Sequence, residues 1–391
     1  MAYKIKVWCF LLFLLKLVSN LQNCAHAAPQ MPCFFIFGDS LADSGNNNHL
    51  VTTAKANYRP YGIDFLNGTT GRFTNGRTTV DIIGALFSSL LAHYSSHISL
   101  EMEFFTYNTL AFAGELLGFD QFIPPFATAR GRDILVGVNY ASGAAGIRDE
   151  SGRELGDRIS LNEQLQNHAA TFNRSIQLLG TKQAATNYLN KCLYYVSLGT
   201  NDYINNYFVP GNYETSRLYT PDQYAKVLID QYSQQIKRLY LFGARKIALP
   251  GLISLGSIPY ASSTLCLKNL SCVANINNAV LPFNAGLFSL VHQLNQELND
   301  ARFIYLNISG MSSSDPSVPG SRVANVGCCP VLGGACIRDS TPCVNRTEYV
   351  FWDAIHPTES SNQFTARRSY SAFLPSDAYP YDISHLVNLQ I

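Results

Sequence analysis

The 391-residue chain carries little charge and has no excess of either sign. Charged residues make up 14% of it, and 28 basic residues against 27 acidic ones give a formal charge of +1. There is no dense run of lysine and arginine. The chain therefore has no electrostatic basis for binding nucleic acid or an anionic membrane surface, and we predict neither partner.

Long apolar runs are also missing beyond the N-terminus. The apolar run Val7–Val18 follows a basic stretch and precedes Ala25-His26-Ala27, a small-residue pattern typical of signal-peptide cleavage. The run is too short for a confident membrane span. We predict that residues 1–27 are a signal peptide, and that the mature chain is secreted, extracellular and without an integral membrane span.

The cysteines do not form CxxC pairs near histidine, which argues against a zinc site. Two of the ten lie in the predicted signal peptide, and an even number in a secreted chain favours disulfides. The pair Cys266/Cys272 and the cluster Cys328–Cys343 are expected to close local loops, while the full pairing stays open. The remaining cysteines are Cys33, Cys192, Cys266, Cys272, Cys328, Cys329, Cys336 and Cys343.

Five Asn-x-Ser/Thr sequons fit the same secretory route, and each is a candidate glycosylation site. They begin at Asn67, Asn173, Asn269, Asn307 and Asn345.

Apolar runs of strand length alternate with longer helical patterns, without internal repeats or a long linker. This alternation predicts one α/β domain over residues 28–391, with a parallel sheet covered by helices on both faces. The predicted strands are Cys33–Phe37, Leu135–Ala141, Leu193–Leu198, Lys246–Pro250 and Phe303–Ile308. The predicted helices are Thr78–Ala92, Ser160–Gly180, Pro221–Phe242, Asn277–Asp300 and Thr358–Ala372.

The stretch Phe34–Asn48 supplies a candidate nucleophile. Its apolar strand breaks at Gly38 into small polar residues, which displays the hydroxyl of Ser40 at the edge of a sheet. Taken alone, Gly-Asp-Ser is more typical of a polar turn. The chain has no G-x-S-x-G pattern, which argues against the α/β-hydrolase fold.

Asp353 and His356 supply a candidate orienting group and a candidate base. Imidazole titrates near neutral pH and can take the proton of a serine hydroxyl. At this spacing Asp353 can accept from one ring nitrogen and leave the other facing Ser40. The alternative is that Asp353 only caps the following helix and that His356 is structural.

An acyl-transfer site also needs donors for the oxyanion of the tetrahedral intermediate. The candidates are the amide of Ser40, the amide of Gly143 in a run of small residues, and the side-chain amide of Asn201. Each follows the end of a predicted strand, so all three can meet at one edge of the sheet. Gly146 lies close to Gly143 in the same run, and glycine and asparagine are also common in turns.

No metal or cofactor is predicted. Asp39 and Asp43 flank Ser40, but their spacing does not match a calcium-binding loop. Asp39 is expected to accept from backbone in the turn. Two interpretations stay open for Arg72, Asn75 and Arg77: they bind a substrate carboxylate, or they order their own loop.

The sequence FFIFGDSLADSGNNN (34–48) resembles the opening block of the plant GDSL-type esterases and lipases, within the SGNH hydrolase superfamily. The resemblance spans nearly the whole mature chain. It implies a three-layer α/β/α flavodoxin-like SGNH fold with about five parallel strands, a catalytic set of Ser40, Asp353 and His356, and an oxyanion hole of Ser40, Gly143 and Asn201. The other matching segments are PYGIDF (60–65), TGRFTNGRTTVD (70–81), GVNYASGAAGI (137–147), SLGTNDY (197–203) and FWDAIHPTE (351–359).

One stretch departs from that resemblance. The family pattern runs from Val80–Leu86 directly into a segment that here begins at Leu116, so residues 87–115 are extra. We predict either an insertion or a gene-model error such as a retained intron.

The predicted function is hydrolysis of carboxylic esters, lipid or polyester among them, through a Ser40 acyl-enzyme. The same residues also allow two alternatives. One is an acyltransferase that uses the same site, and the other is a non-catalytic secreted binding protein on the same scaffold. Substrate chain length, alcohol and oligomeric state do not follow from the sequence.

Overall fold

The computed structural model describes residues 29–84, 117–313 and 323–390. The chain groups into two compact units, Met31–Ile83 with Ile123–Ile391 and Met1–Gln30 with Gly84–Phe122. In the described part of the smaller unit, the Gln30 N–H donates to the Leu117 carbonyl. The predicted signal peptide and residues 87–115 lie outside the described residues, and the single-domain organisation stays a prediction.

The larger unit is built on a five-stranded sheet whose strands, in spatial order, are Phe34–Gly38 (β1), Leu193–Ser197 (β2), Lys246–Pro250 (β3), Arg302–Leu306 (β4) and Ala378–Tyr379 (β9). The first four strands are parallel, and β9 pairs antiparallel with β4. All five residues of β1 are buried, so both faces of that strand are covered, as its continuous apolar sequence predicts. The fold is the three-layer α/β arrangement expected, with one antiparallel edge strand. The other described strands form two small sheets, one of Val323–Gly327 (β5) with Tyr349–Phe351 (β8) and one of Val331–Leu332 (β6) with Ala335–Cys336 (β7).

The prediction of a strand at Leu135–Ala141 is wrong. A short helix, Asp133–Val136, occupies its start, and Asn139 forms only isolated parallel bridges. The side chain of Asn139 donates to the Ala42 carbonyl and accepts from the Ala141 N–H, which replaces regular ladder pairing with local bonds. The segment still runs beside β1, because the Tyr140 N–H donates to the Ile36 carbonyl.

Two of the longer helices begin at capping boxes, within one residue of their predicted starts. Ser160 and Glu163 form a capping box at the start of the helix Leu161–Leu179, and Thr220 and Gln223 form another at the start of the helix Pro221–Leu241. The helix predicted from Asn277 starts seven residues earlier, because Asn269 caps it. The helices of six residues or more are Thr79–Gly84 (α1), Leu161–Leu179 (α2), Lys182–Leu189 (α3), Pro221–Leu241 (α4), Leu270–Glu297 (α5), Ile308–Ser313 (α6), Glu359–Tyr370 (α7) and Ile383–Asn388 (α8). Shorter helical turns are Asp133–Val136, Thr200–Asp202, Thr215–Leu218, Tyr203–Tyr207, Ala261–Leu265, Asn46–His49, Arg153–Leu155, Leu255–Ser257 and Arg346–Glu348.

All eight cysteines beyond the predicted signal peptide are paired, which confirms a disulfide framework. Cys33–Cys192 joins residues 159 apart in sequence, at the starts of β1 and β2. The local loop expected at Cys266–Cys272 is present. Two further bridges, Cys328–Cys343 and Cys329–Cys336, cross-link the segment that leads to Asp353.

Candidate active site

The turn after β1 places Ser40 at the carboxyl end of the parallel sheet. The Ala42 and Asp43 N–H groups donate to the Asp39 carbonyl, and the Leu41 N–H donates to the Asp39 side chain at 3.0 Å. The turn is fastened from α2, where the buried Gln164 side chain bonds both the N–H and the carbonyl of Gly38. These bonds fix the backbone of the turn that carries Ser40.

A tight turn after β8 brings His356 to that hydroxyl. The Trp352 N–H donates to the His356 carbonyl at 2.7 Å, which closes the turn. His356 Nε2 lies 2.7 Å from Ser40 Oγ, and His356 Nδ1 lies 2.7 Å from Asp353 Oδ2. The structure therefore brings the three predicted residues together in one hydrogen-bonded series.

The carboxylate of Asp353 is fully buried and has four donors. Oδ1 accepts the N–H groups of Ile355 and His356 at 2.8 and 2.7 Å. Oδ2 accepts from His356 and also from the hydroxyl of Tyr61 at 2.7 Å. A buried carboxylate is costly unless hydrogen bonds replace its hydration, and these four donors supply that replacement.

Tyr61 is the site residue that the sequence did not identify. It belongs to PYGIDF, a segment matched to the family without a role, and 292 positions separate it from Asp353. Burial, and then the negative charge of Asp353, raise the pKa of Tyr61 well above its usual 10. The phenol therefore stays protonated and acts as a donor.

The aspartate–histidine spacing is not unique to the site. Asp382 and His385 have it too, and Asp382 Oδ1 lies 2.6 Å from His385 Nδ1. That imidazole is exposed near the C-terminus, and Asp382 caps α8. The spacing alone thus produces the local pair, while the packing around β1 and β8 decides which pair meets a serine.

The predicted oxyanion donors lie in the same region, but two already have acceptors. The Gly143 N–H donates to Asp43 Oδ2 at 3.0 Å. The Asn201 side-chain amide follows β2 and donates to the Ala145 carbonyl at 2.9 Å, which occupies one of its two hydrogens. A Cβ at Gly143 would lie 2.8 Å from both the Asn47 side chain and the Phe73 ring, so close packing requires glycine there.

The two aspartates beside Ser40 accept hydrogen bonds from backbone N–H groups. Asp43 accepts from Gly45, Asn46 and Gly143, and burial raises its pKa to about 6. Burial likewise raises the pKa of Asp39 to about 7. Across the described ranges, no group of three or more His, Cys, Asp or Glu side chains is placed to hold a metal ion.

The polar side chains of the GRFTNGR loop bond within the protein. Arg72 forms a buried ion pair with Asp81 at 2.7 Å. The Arg77 guanidinium lies 2.6 Å from Glu359 at the start of α7. These contacts favour the interpretation that the arginines order the loop.

In the part of the chain that the structure describes, no helix has the length and apolar character needed to cross a bilayer.

A parallel α/β sheet with hydroxyl, imidazole and carboxylate in series at its carboxyl edge is the arrangement of a serine-type ester hydrolase. Comparison with known proteins places the chain more narrowly. A family model for GDSL-like lipase/acylhydrolases matches residues 34–369. The chain belongs to that family and is a carboxylic ester hydrolase.

Relatives named as GDSL esterase/lipases of Arabidopsis thaliana match over nearly their full length. One is 47% identical over 389 residues, covering 98% of each chain. A second is 45% identical over 379 residues, covering 95% of this chain and 97% of its own. A third is 44% identical over 386 residues, covering 97% and 98%.

Proposed function

We propose that this protein hydrolyses acyl esters through a covalent intermediate on Ser40. The observation that carries the proposal is the series of two 2.7 Å hydrogen bonds from Ser40 Oγ through His356 to Asp353. His356 Nε2 takes the hydroxyl proton as Ser40 Oγ attacks the ester carbon, and then gives it to the leaving alcohol. His356 then takes a proton from a water molecule as that water attacks the carbonyl carbon of the acyl-enzyme. The proton returns to Ser40 Oγ as the acyl–Oγ bond breaks and the carboxylic acid is released.

The oxyanion of the tetrahedral intermediate is assigned to the Ser40 N–H, the Gly143 N–H and the Asn201 side-chain amide. The Ser40 amide lies at the strand-to-turn junction beside the reacting oxygen, and Asn201 retains a second amide hydrogen. Gly143 contributes when the substrate oxygen replaces Asp43 Oδ2 as its acceptor. This exchange lets a buried, prepositioned amide serve two acceptors in turn.

We infer a secreted and glycosylated protein. Four disulfides fit an oxidising compartment. Four sequon asparagines are exposed, whereas Asn307 is half-buried and its Nδ2 donates to the Ser376 carbonyl at 3.0 Å. The exposed ones, Asn67, Asn173, Asn269 and Asn345, are the sites we assign to glycans.

The test is covalent labelling of the secreted protein with a serine-directed phosphonate, beside hydrolysis of p-nitrophenyl esters from acetate to palmitate. We expect the wild type to be labelled and active, and Ser40→Ala to lose both the label and at least about 10³-fold in kcat. Ser44→Ala, at a buried serine in the same turn, is the matched control and should keep the label.

Labelling of Ser40→Ala at wild-type level would contradict the assignment of the nucleophile. Labelling without hydrolysis, together with acyl transfer to an added alcohol, would instead identify an acyltransferase that uses the same serine.

A further inference from the structure

We propose that Tyr61 is a positioning residue that holds the Asp353 carboxylate in place and sets how strongly that carboxylate acts on His356. The inference rests on the proposed function of Ser40, His356 and Asp353. It adds a fourth side chain behind them, which the sequence supplies from the PYGIDF segment.

The Tyr61 hydroxyl is placed between a backbone donor and the Asp353 carboxylate. The Cys336 N–H donates to the Tyr61 oxygen at 3.0 Å, and the Tyr61 hydroxyl lies 2.7 Å from Asp353 Oδ2. The hydroxyl thus accepts on one side and donates on the other. Such a chain polarises each bond in it and fixes the direction of the phenol.

Tyr61 acts through Asp353 because substrate has no path to it. Its side chain is fully buried, and it packs in a cluster with Phe73, Trp352 and the disulfide Cys329–Cys336. The Phe73 ring is near both Tyr61 and His356: its centroid is 6.1 Å from the Tyr61 ring and 4.9 Å from the His356 ring. The phenol is therefore held rigidly against the carboxylate.

The hydrogen bond from Tyr61 disperses part of the negative charge on Oδ2, the oxygen that faces His356 Nδ1. Removing it leaves the carboxylate a stronger partner for the imidazolium and a less well fixed one. Loss of the hydroxyl should therefore slow turnover and raise the pH at which His356 becomes an effective base. The other titratable groups near the pair are Asp39, whose charge acts on His356, and Tyr58, which lies near Asp353.

The experiment compares Tyr61→Phe with Tyr58→Phe in the full-length secreted chain, using p-nitrophenyl butyrate across pH 4–9. Tyr58 is a matched control, because its hydroxyl donates to the carbonyl of the same Cys336 at 2.9 Å and its ring packs on Tyr61. We expect Tyr61→Phe to lower kcat about tenfold with KM unchanged, and to move the acidic limb of kcat/KM up by about half a pH unit. Tyr58→Phe should keep both near wild type.

A second variant covers the case in which Tyr61→Phe does not fold. Replacing Tyr61 with 3,5-difluorotyrosine keeps the ring and the hydroxyl but makes it a stronger donor. The acidic limb should then move to lower pH, opposite to the phenylalanine variant. Unchanged kcat and an unmoved limb in both Tyr61 variants would overturn the proposal, and so would equal losses in Tyr61→Phe and Tyr58→Phe with no movement of the limb.

Two further variants, Ser40→Ala and Asp353→Asn, distinguish an error in the proposed function from an error in the role of Tyr61. If Ser40→Ala or Asp353→Asn turned over the ester at the wild-type rate, the series behind which Tyr61 is placed would be wrong. If those two variants were inactive and Tyr61→Phe matched the wild type, only the role of Tyr61 would be overturned.

Discussion

At the scale of single residues, the site depends on a buried carboxylate whose lone pairs are all used. Asp353 is fully buried, and His356 and Ser40 are only 7% and 9% exposed. Little water reaches the two hydrogen bonds of the series, so each is stronger than the same bond at a surface. The consequence is that small changes at Asp353 should have large effects on rate.

Asp353→Asn is expected to lower kcat by about 10⁴-fold with little change in fold. The amide matches the carboxylate in shape, but an amide that donates to His356 Nδ1 places the imidazole proton on Nε2, where it cannot accept from Ser40. Steady-state kinetics with a p-nitrophenyl ester measures the change.

The matched control for this prediction is Asp382→Asn, because Asp382 makes the same local contact with His385 away from Ser40. Its kcat should stay near wild type. Comparable losses in the two variants would show that a general effect on folding, rather than the position of Asp353, explains the result.

At the scale of elements, α2 supports the active-site turn and carries a buried histidine. His168 lies on that helix among Phe35, Phe37 and Tyr194, with ring centroids 5.1–5.7 Å away. Burial lowers its pKa from 6.5 to about 3. It is a core residue in the neutral form, and its protonation affects the free energy of unfolding rather than the catalytic reaction.

His168 should make the protein less stable in acid. Below about pH 6.5 the unfolded chain binds a proton at His168 that the folded chain does not, so its contribution to the free energy of unfolding falls by about 1.4 kcal/mol per pH unit until pH 3. The buried Asp39, Asp43 and Asp202 act in the opposite direction, because their raised pKa values let the folded chain bind the extra protons.

Denaturant unfolding of the wild type and of His168→Phe at pH 6 and pH 5 separates these effects. The aspartates act equally in both proteins, so the difference in unfolding free energy between the proteins should shift by about 1.2 kcal/mol over that pH unit, because the unfolded histidine is already partly deprotonated at pH 6. His49→Gln, at an exposed histidine, should follow the wild type. Parallel curves for wild type and His168→Phe would contradict the prediction.

At the scale of the whole molecule, disulfides join parts of the chain that are far apart in sequence. Cys33–Cys192 spans 159 positions, whereas Cys266–Cys272 spans six. Crosslinking restricts the unfolded chain more when the closed loop is longer, so the long bridge should contribute more to stability.

Replacing Cys33 and Cys192 together with alanine should lower the free energy of unfolding by about 5 kcal/mol, against about 2 kcal/mol for the Cys266 and Cys272 pair. Denaturant unfolding of the purified variants measures both. Equal losses would show that strain or residual structure in the unfolded chain outweighs loop length.

The sequence by itself determined the alternation of buried strands and capped helices, and the local pair at Asp353 and His356. These features depend on neighbours within a few positions: strand periodicity, the capping boxes at Ser160 and Thr220, and a carboxylate three residues before an imidazole. The family resemblance then identified which serine and which histidine belong together, although 316 positions separate them.

Only the tertiary structure decided the rest, because those contacts join segments that no local pattern connects. The hydroxyl of Tyr61 reaches Asp353, the amide of Gly143 is taken by Asp43, and the predicted strand at Leu135–Ala141 gives way to side-chain bonds from Asn139. In each case a polar group that becomes buried must find a partner, and which partner is within reach depends on how the whole sheet packs.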